Sequence, residues 1–268
     1  MTAGAPLRTV RSTPHAVVAG FPAKGAEMTN VQRAEQRGQQ RGGARGAMAP
    51  IGWCLAAAGA LFLLGGMLHP HEDPPGVSLK EHLHVMYDDP AWYPSHALLL
   101  AGTALIAVAL ILLVRRRLLA DVPVAQLAAT VAAATAVLAS LGMVLHLFAA
   151  SDAGRIAAGR STPLTDVHLV VETITVPLFG FAIAVLAIVG AATRSLGNWL
   201  TALFGVVGGV AYALASGTAV FTDALDPLFP VSSVIALWAL GTGGWLLLRA
   251  RAAAVAPPSP LTAPAPVG

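Results

Sequence analysis

The sequence predicts an all-α fold, a polytopic membrane bundle of six transmembrane helices, N-in and C-in, with a short interfacial helix in the first outer loop. Three observations carry this prediction. Of the 268 residues, 56% are hydrophobic and only 11% charged, where a soluble domain carries about 25% charged residues. The apolar residues fall in blocks long enough to cross about 30 Å of hydrocarbon, which takes about 20 residues of helix. The basic residues are sorted between the loops as membrane insertion sorts them. Alternating strands of about ten residues, the mark of a membrane barrel, are absent from the sequence.

Residues 1–48 are rich in Gly, Ala, Arg and Gln, show no sustained apolar period and read as a disordered, basic cytoplasmic tail. They contain no apolar core of a secretory signal, and Met28 and Met48 offer alternative starts to Met1. The six-helix domain occupies 49–251, and its apolar blocks run over 51–68, 95–114, 124–149, 168–192, 199–220 and 231–248. In lipid, apolar side chains gain nothing by leaving the bilayer, so close contact between small residues must hold helices together. Gly52, Gly59 and Gly66 in the first block are such a seam, as are Gly205 and Gly209 in the fifth. Ala125, Ala129, Ala132, Ala136 and Ser140 make another along the third. Pro177 removes a backbone donor from the fourth block and should kink it.

The first outer loop is the one long connection. Ser78 and Glu81 form a capping-box pattern, and Leu79, Leu83 and Met86 follow at helical spacing, which predicts an amphipathic helix over 79–87 lying on the membrane surface. Asp88, Asp89 and Pro90 end it. Trp92 and Tyr93 then fall where an interfacial aromatic belt is expected. Residues 252–268, with Pro257, Pro258, Pro260, Pro264 and Pro266, read as a disordered cytoplasmic tail.

Sorting the charges by loop orients the bundle. Arg8, Arg11, Lys24, Arg33, Arg37, Arg41, Arg45, Arg115, Arg116, Arg117, Arg194, Arg249 and Arg251 fall on one side, and only Lys80, Arg155 and Arg160 on the other. The basic side is cytoplasmic by the positive-inside rule. The high isoelectric point therefore reports topology and calls for no nucleic-acid partner; the expected partner is the lipid bilayer. Ten of the 13 acidic residues lie on the outer side, which would draw cations toward it. Cys54 is the single cysteine, which excludes an internal disulfide, a thiolate zinc cluster, an iron–sulfur cluster and a covalently attached haem.

Any metal chemistry must then use His and carboxylate. His69, His71, His82, His84, His96, His146 and His168 all fall on the outer side, and only His15 does not. With a rise of 1.5 Å per residue, His96, His146 and His168 share a layer about 5 Å thick just below the outer interface. Glu172 follows His168 by four residues, so it shares that face and reaches about 6 Å deeper. A carboxylate inside a span costs a few kcal/mol unless it is partnered, so it should face the bundle interior. Three imidazoles and one carboxylate aimed at one point suit zinc or copper without sulfur. Glu172 is then a fourth ligand or a general base, the candidate catalytic residue. His69 and His71 add donors above the layer, and Asp223 and Asp226 stand nearby in the third outer loop.

Plainer readings stand beside these. His96 and His146 would serve packing, His168 and Glu172 an i, i+4 pair tying one helix to a neighbour, and Asp223 and Asp226 a turn before Pro227. No piece matches a strong signature such as HExxH. Three functions follow: a metal-dependent enzyme at the outer interface, a b-type haem held by two of these histidines, or a non-enzymatic sensor, transporter or partner subunit.

Overall fold

The computed structural model describes residues 30–70 and 78–255, and these are helices and turns with no strand among them. The chain divides into two compact units, Met1–Gln39 and Gln40–Gly268. The first is described only over 30–39, where it is helical. The structure below is that of the second.

Helix α1 (Asn30–Leu68) begins eighteen residues before the membrane-length stretch Met48–Leu68, inside the segment read from sequence as tail. Gln, Arg and Ala are good helix formers, and they set the backbone there despite the glycines. The rest of that segment, with Met28, lies outside the described residues, as do 256–268. The remaining membrane-length helices are α3 (Trp92–Arg115), α4 (Pro123–Ala149), α6 (Pro163–Ala192), α7 (Trp199–Thr218) and α9 (Ile235–Val255). Pro opens both α4 and α6, at a position where a missing N–H costs nothing. Pro177 is accommodated within α6, which continues to Ala192. The sixth apolar block is divided, because a short α8 (Leu228–Ser232) precedes α9 and the joint is made by tight three-residue bonds, Ser233 to Ala236 at 2.9 Å and Val234 to Leu237 at 3.0 Å.

Some of the expected small-residue seams are where backbones meet, whereas a methyl at Gly205 would meet side chains, those of Ala187 at 2.5 Å and Trp238 at 2.7 Å. A methyl group at Gly59 would stand 2.6 Å from the Ala236 carbonyl of α9, and one at Gly52 would stand 3.0 Å from that of Gly243. Gly66 is different, with nothing nearer than Ser233 at 3.9 Å. Gly209 of α7 lies against Gly180 of α6 so closely that a methyl would come within 2.5 Å of its carbonyl oxygen. In α4, Ala125, Ala129, Ala132 and Ala136 are all fully buried.

Helix α2 (Leu79–Asp88) starts from the capping box: the Ser78 hydroxyl accepts the Glu81 N–H at 3.3 Å, and the Glu81 carboxylate accepts the Ser78 N–H at 2.8 Å. Its apolar face, Leu83, Met86 and Tyr87, packs on Trp92, Ala149 and Ala150 at the ends of α3 and α4. Protein thus covers the face expected to meet lipid. Trp92 departs from expectation in the same way. Tyr93 is 55% exposed but Trp92 is 0% exposed, because its indole is enclosed between α2 and the histidines of the bundle and is no belt anchor.

Candidate metal centre

The site depends first on the connection between α4 and α6. A single turn of 3-10 helix (Ala150–Asp152) and the short α5 (Ala153–Ala157) fold back so that the Asp152 carboxylate accepts the N–H groups of Leu164 and Thr165, each at 3.0 Å. These are free donors of the first turn of α6, and an acceptor carrying negative charge is favoured there by the helix dipole. Asp152 is 3% exposed and also lies 3.6 Å from the Arg155 Nε. From outside, Lys80 of α2 reaches the Thr162 hydroxyl at 3.3 Å and the Asp166 carboxylate at 3.9 Å. The last turn of α4 is thereby set beside the second turn of α6.

Those two turns carry His146 and His168. The His146 Nδ1 and the His168 Nε2 are in direct contact, and the Glu172 Oε2 lies 2.8 Å from the His168 Nε2 and 3.9 Å from the His146 Nδ1. All three donor atoms fall within 4.8 Å of one another, in surroundings where His168 is 1% exposed. Glu172 thus has the interior partner that a carboxylate in a span requires. Two imidazole nitrogens and a carboxylate oxygen converge on one small volume, where they share protons or could each offer a ligand atom to a metal ion. Below it, toward the middle of α4 and α6, is a recess lined by Gly142, Met143 and Thr175.

The other predicted residues extend outward from this group as a ladder of rings. His96 on α3 is 2% exposed, with its ring 4.6 Å from that of His146. Its Nδ1 lies 2.8 Å from the Trp92 carbonyl, which can only accept, and 3.1 Å from the Ser95 hydroxyl, which donates to the same carbonyl at 2.9 Å. Trp92 lies on His96 at 3.7 Å, and His69, just past α1, stands 4.8 Å from His96 and 6.3 Å from Trp92, with its Nδ1 2.9 Å from the Pro70 carbonyl. His96 and His69 therefore neighbour the donor group without joining it. His71 lies outside the described residues. His82 and His84 are on α2, where His84 meets Asp88 at 3.5 Å, and Asp223 and Asp226 are in the turns between α7 and α8.

Sequence reasoning passed over Asp152, Trp92, Tyr87 and Thr175. Only Thr175 had a periodic signal, three residues beyond Glu172 on the same face. Tyr87 stands at the outer edge of the site, where burial pushes its phenol well above its ordinary value; the Thr165 hydroxyl opposes the shift, and the carboxylates of Glu172 and Asp152 add to it. On the exposed side of α2, the Ser78 N–H holds the Glu81 carboxyl below its ordinary value.

Fold and site together describe a multi-pass helical membrane protein with a His/Glu cluster, buried at His168 and half-buried at His146 and Glu172, toward one end of the bundle. Compared with protein-family models, with characterised proteins and with solved structures, the chain matches none.

Proposed function

We propose that the protein binds one zinc or copper ion between α4 and α6 through His146, His168 and Glu172, and that it is a metal-dependent membrane enzyme working at the outer interface. The observation that carries the reading is the convergence of three donor atoms from two helices within 4.8 Å. Nitrogen and carboxylate oxygen without sulfur suit either ion. Three protein ligands, where a structural zinc site uses four, leave a coordination position for water or substrate, the arrangement of catalytic sites. The metal would lower the pKa of a bound water and so supply a nucleophile near neutral pH. Among the described residues no fourth donor joins these three, and Glu172 is the ligand, or else the general base, nearest that position.

The sorting of basic residues supports placing this end of the bundle outside the cell. Haem is less well supported. Its two axial imidazoles would have to stand on opposite faces of a flat macrocycle, whereas His96, His146 and His168 pack ring against ring, with centroids 4.6 and 4.2 Å apart. Coupled transport is not favoured either, because it calls for ionisable groups or broken helices near the midplane, and Glu172 lies only about one turn below the histidine layer.

Elemental analysis of detergent-purified protein tests the proposal. The wild type should carry zinc or copper at one ion per chain, and His146→Ala should lose it. Equal metal content in the two proteins would falsify the reading.

A further inference from the structure

We infer that the metal centre keeps its open position toward the recess beneath it, and that the Thr175 hydroxyl holds a small oxygen- or nitrogen-donor ligand there, a water or hydroxide exchangeable for a small anion. This rests on the metal reading above and adds to it the place and the chemistry of the exogenous ligand.

The argument starts from helical register. Thr175 lies three residues after Glu172 in α6, and Gly142 lies four before His146 in α4, so each is about one turn deeper than a donor on the same face. The two residues meet across the helices: a methyl at Gly142 would stand 3.0 Å from the Thr175 Oγ1. Glycine at this point therefore leaves open the space into which the hydroxyl projects, and that space is the recess bounded above by His146, His168 and Glu172.

The hydroxyl is also set apart by what it does not do. In lipid, Ser and Thr ordinarily return their proton to the carbonyl one turn earlier in their own helix. Thr103, Thr135, Ser140 and Thr173 do so here, to Leu99, Val131, Ala136 and Leu169 at 2.7 to 3.1 Å. The Thr175 oxygen is buried and has no hydrogen-bond partner among the described residues. Ser216 and Thr242 share that property, but neither lines the recess. An unmet buried hydroxyl is costly, and a ligand that accepts or donates a hydrogen bond removes the cost. A metal with three protein ligands supplies such a ligand in the adjacent position. Thr175 is thus a positioning residue for whatever occupies the fourth site. Gly142, Ala139 and Met143 leave room for about one water-sized ligand.

The test uses the full chain in detergent, loaded with cobalt(II), whose visible bands report its ligands, and titrated with sodium fluoride, an anion no larger than water. Fluoride should shift the bands of the wild type saturably. Thr175→Val, nearly the same shape without the hydroxyl, should bind cobalt at the same stoichiometry but fluoride about tenfold more weakly. Thr175→Ser should restore wild-type affinity, and Gly142→Val should abolish the fluoride response. Stoichiometric cobalt with no fluoride response, or equal affinity in the wild type and Thr175→Val, overturns the inference while leaving the metal site standing. Should Thr175→Val fail to fold, the Gly142→Val result decides, and an unchanged fluoride response there is equally fatal. A wild type that takes up no cobalt overturns both readings together.

Discussion

Asp152 offers the sharpest test of how the site is held, because its side chain links two helices without taking part in the proposed chemistry. Asp152→Ala removes the acceptor of two backbone bonds, those from Leu164 and Thr165 at 3.0 Å. Bonds to a charged acceptor contribute about 1.5 to 3 kcal/mol each, and loss of a helix cap costs about 0.5 to 2 kcal/mol. These describe overlapping effects, so the combined loss is about 3 kcal/mol, not their sum. The ion pair with Arg155 adds little, since the Arg155 side chain is 43% exposed and solvent screens it. Asp152→Asn keeps one acceptor oxygen and should cost about 1 kcal/mol. The measurement is amide hydrogen exchange by mass spectrometry across 160–170, where a local loss of about 3 kcal/mol corresponds to exchange about a hundredfold faster. Thr165 is 0% exposed, so its amide has no water to take over the bond without the turn opening. Exchange there changed by less than about threefold in Asp152→Ala would refute the claim that this carboxylate caps α6. The same variant should weaken metal binding, because His168 rides on the turn that loosens.

Two further predictions concern helix α2 and the orientation of the bundle. Since the folded Glu81 carboxyl titrates below its ordinary value, its contribution to α2 is present above the ordinary carboxylate pKa and is lost as pH falls through the lowered one. Exchange protection over 79–88, corrected for intrinsic rates, should stay level from neutral pH into the ordinary carboxylate range and fall below it, and Glu81→Ala should remove that acid-dependent step; an identical acid step in the variant would count against the capping box. For orientation, on a Cys54→Ser background, a membrane-impermeant maleimide should label Lys80→Cys in intact cells and Arg116→Cys only after permeabilisation. The reverse labelling would place the candidate site on the cytoplasmic side.

Much of the fold was legible because the properties that determine it are linear along the chain. Block length sets the spans, and the spacing of Ser78 and Glu81 sets the start of α2. Helical rise alone put His146, His168 and Glu172 within reach of one another, because a hairpin of adjacent antiparallel helices brings the end of one beside the start of the next. What was not legible depends on neighbours in space. Trp92 reads as a belt residue by position, yet it is enclosed because α2 folds over it. His96 lies at the right depth, but its Nδ1 is claimed by a carbonyl four residues back, and its ring stacks behind His146. Asp152 caps a helix that begins eleven residues later, a partnership no local spacing encodes. The start of α1 at Asn30 was missed because the segment has helix propensity without apolar period, and the period was the signal in use.

The division of the donor atoms between helices has a thermodynamic consequence. His168 and Glu172 lie one turn apart on α6, and that helix is locked to α7 by backbone contact at Gly180 and Gly209. His146 alone comes from α4. An ion bound by all three would therefore act as a clamp across the α4–α6 seam, and its binding energy would become association energy between the two helices. At a free concentration a hundred times the dissociation constant, such linkage amounts to about 2.7 kcal/mol. A bundle held elsewhere by glycine and alanine contacts would then be tightest at the end that carries the ion, and withdrawing the ion would loosen α4 first.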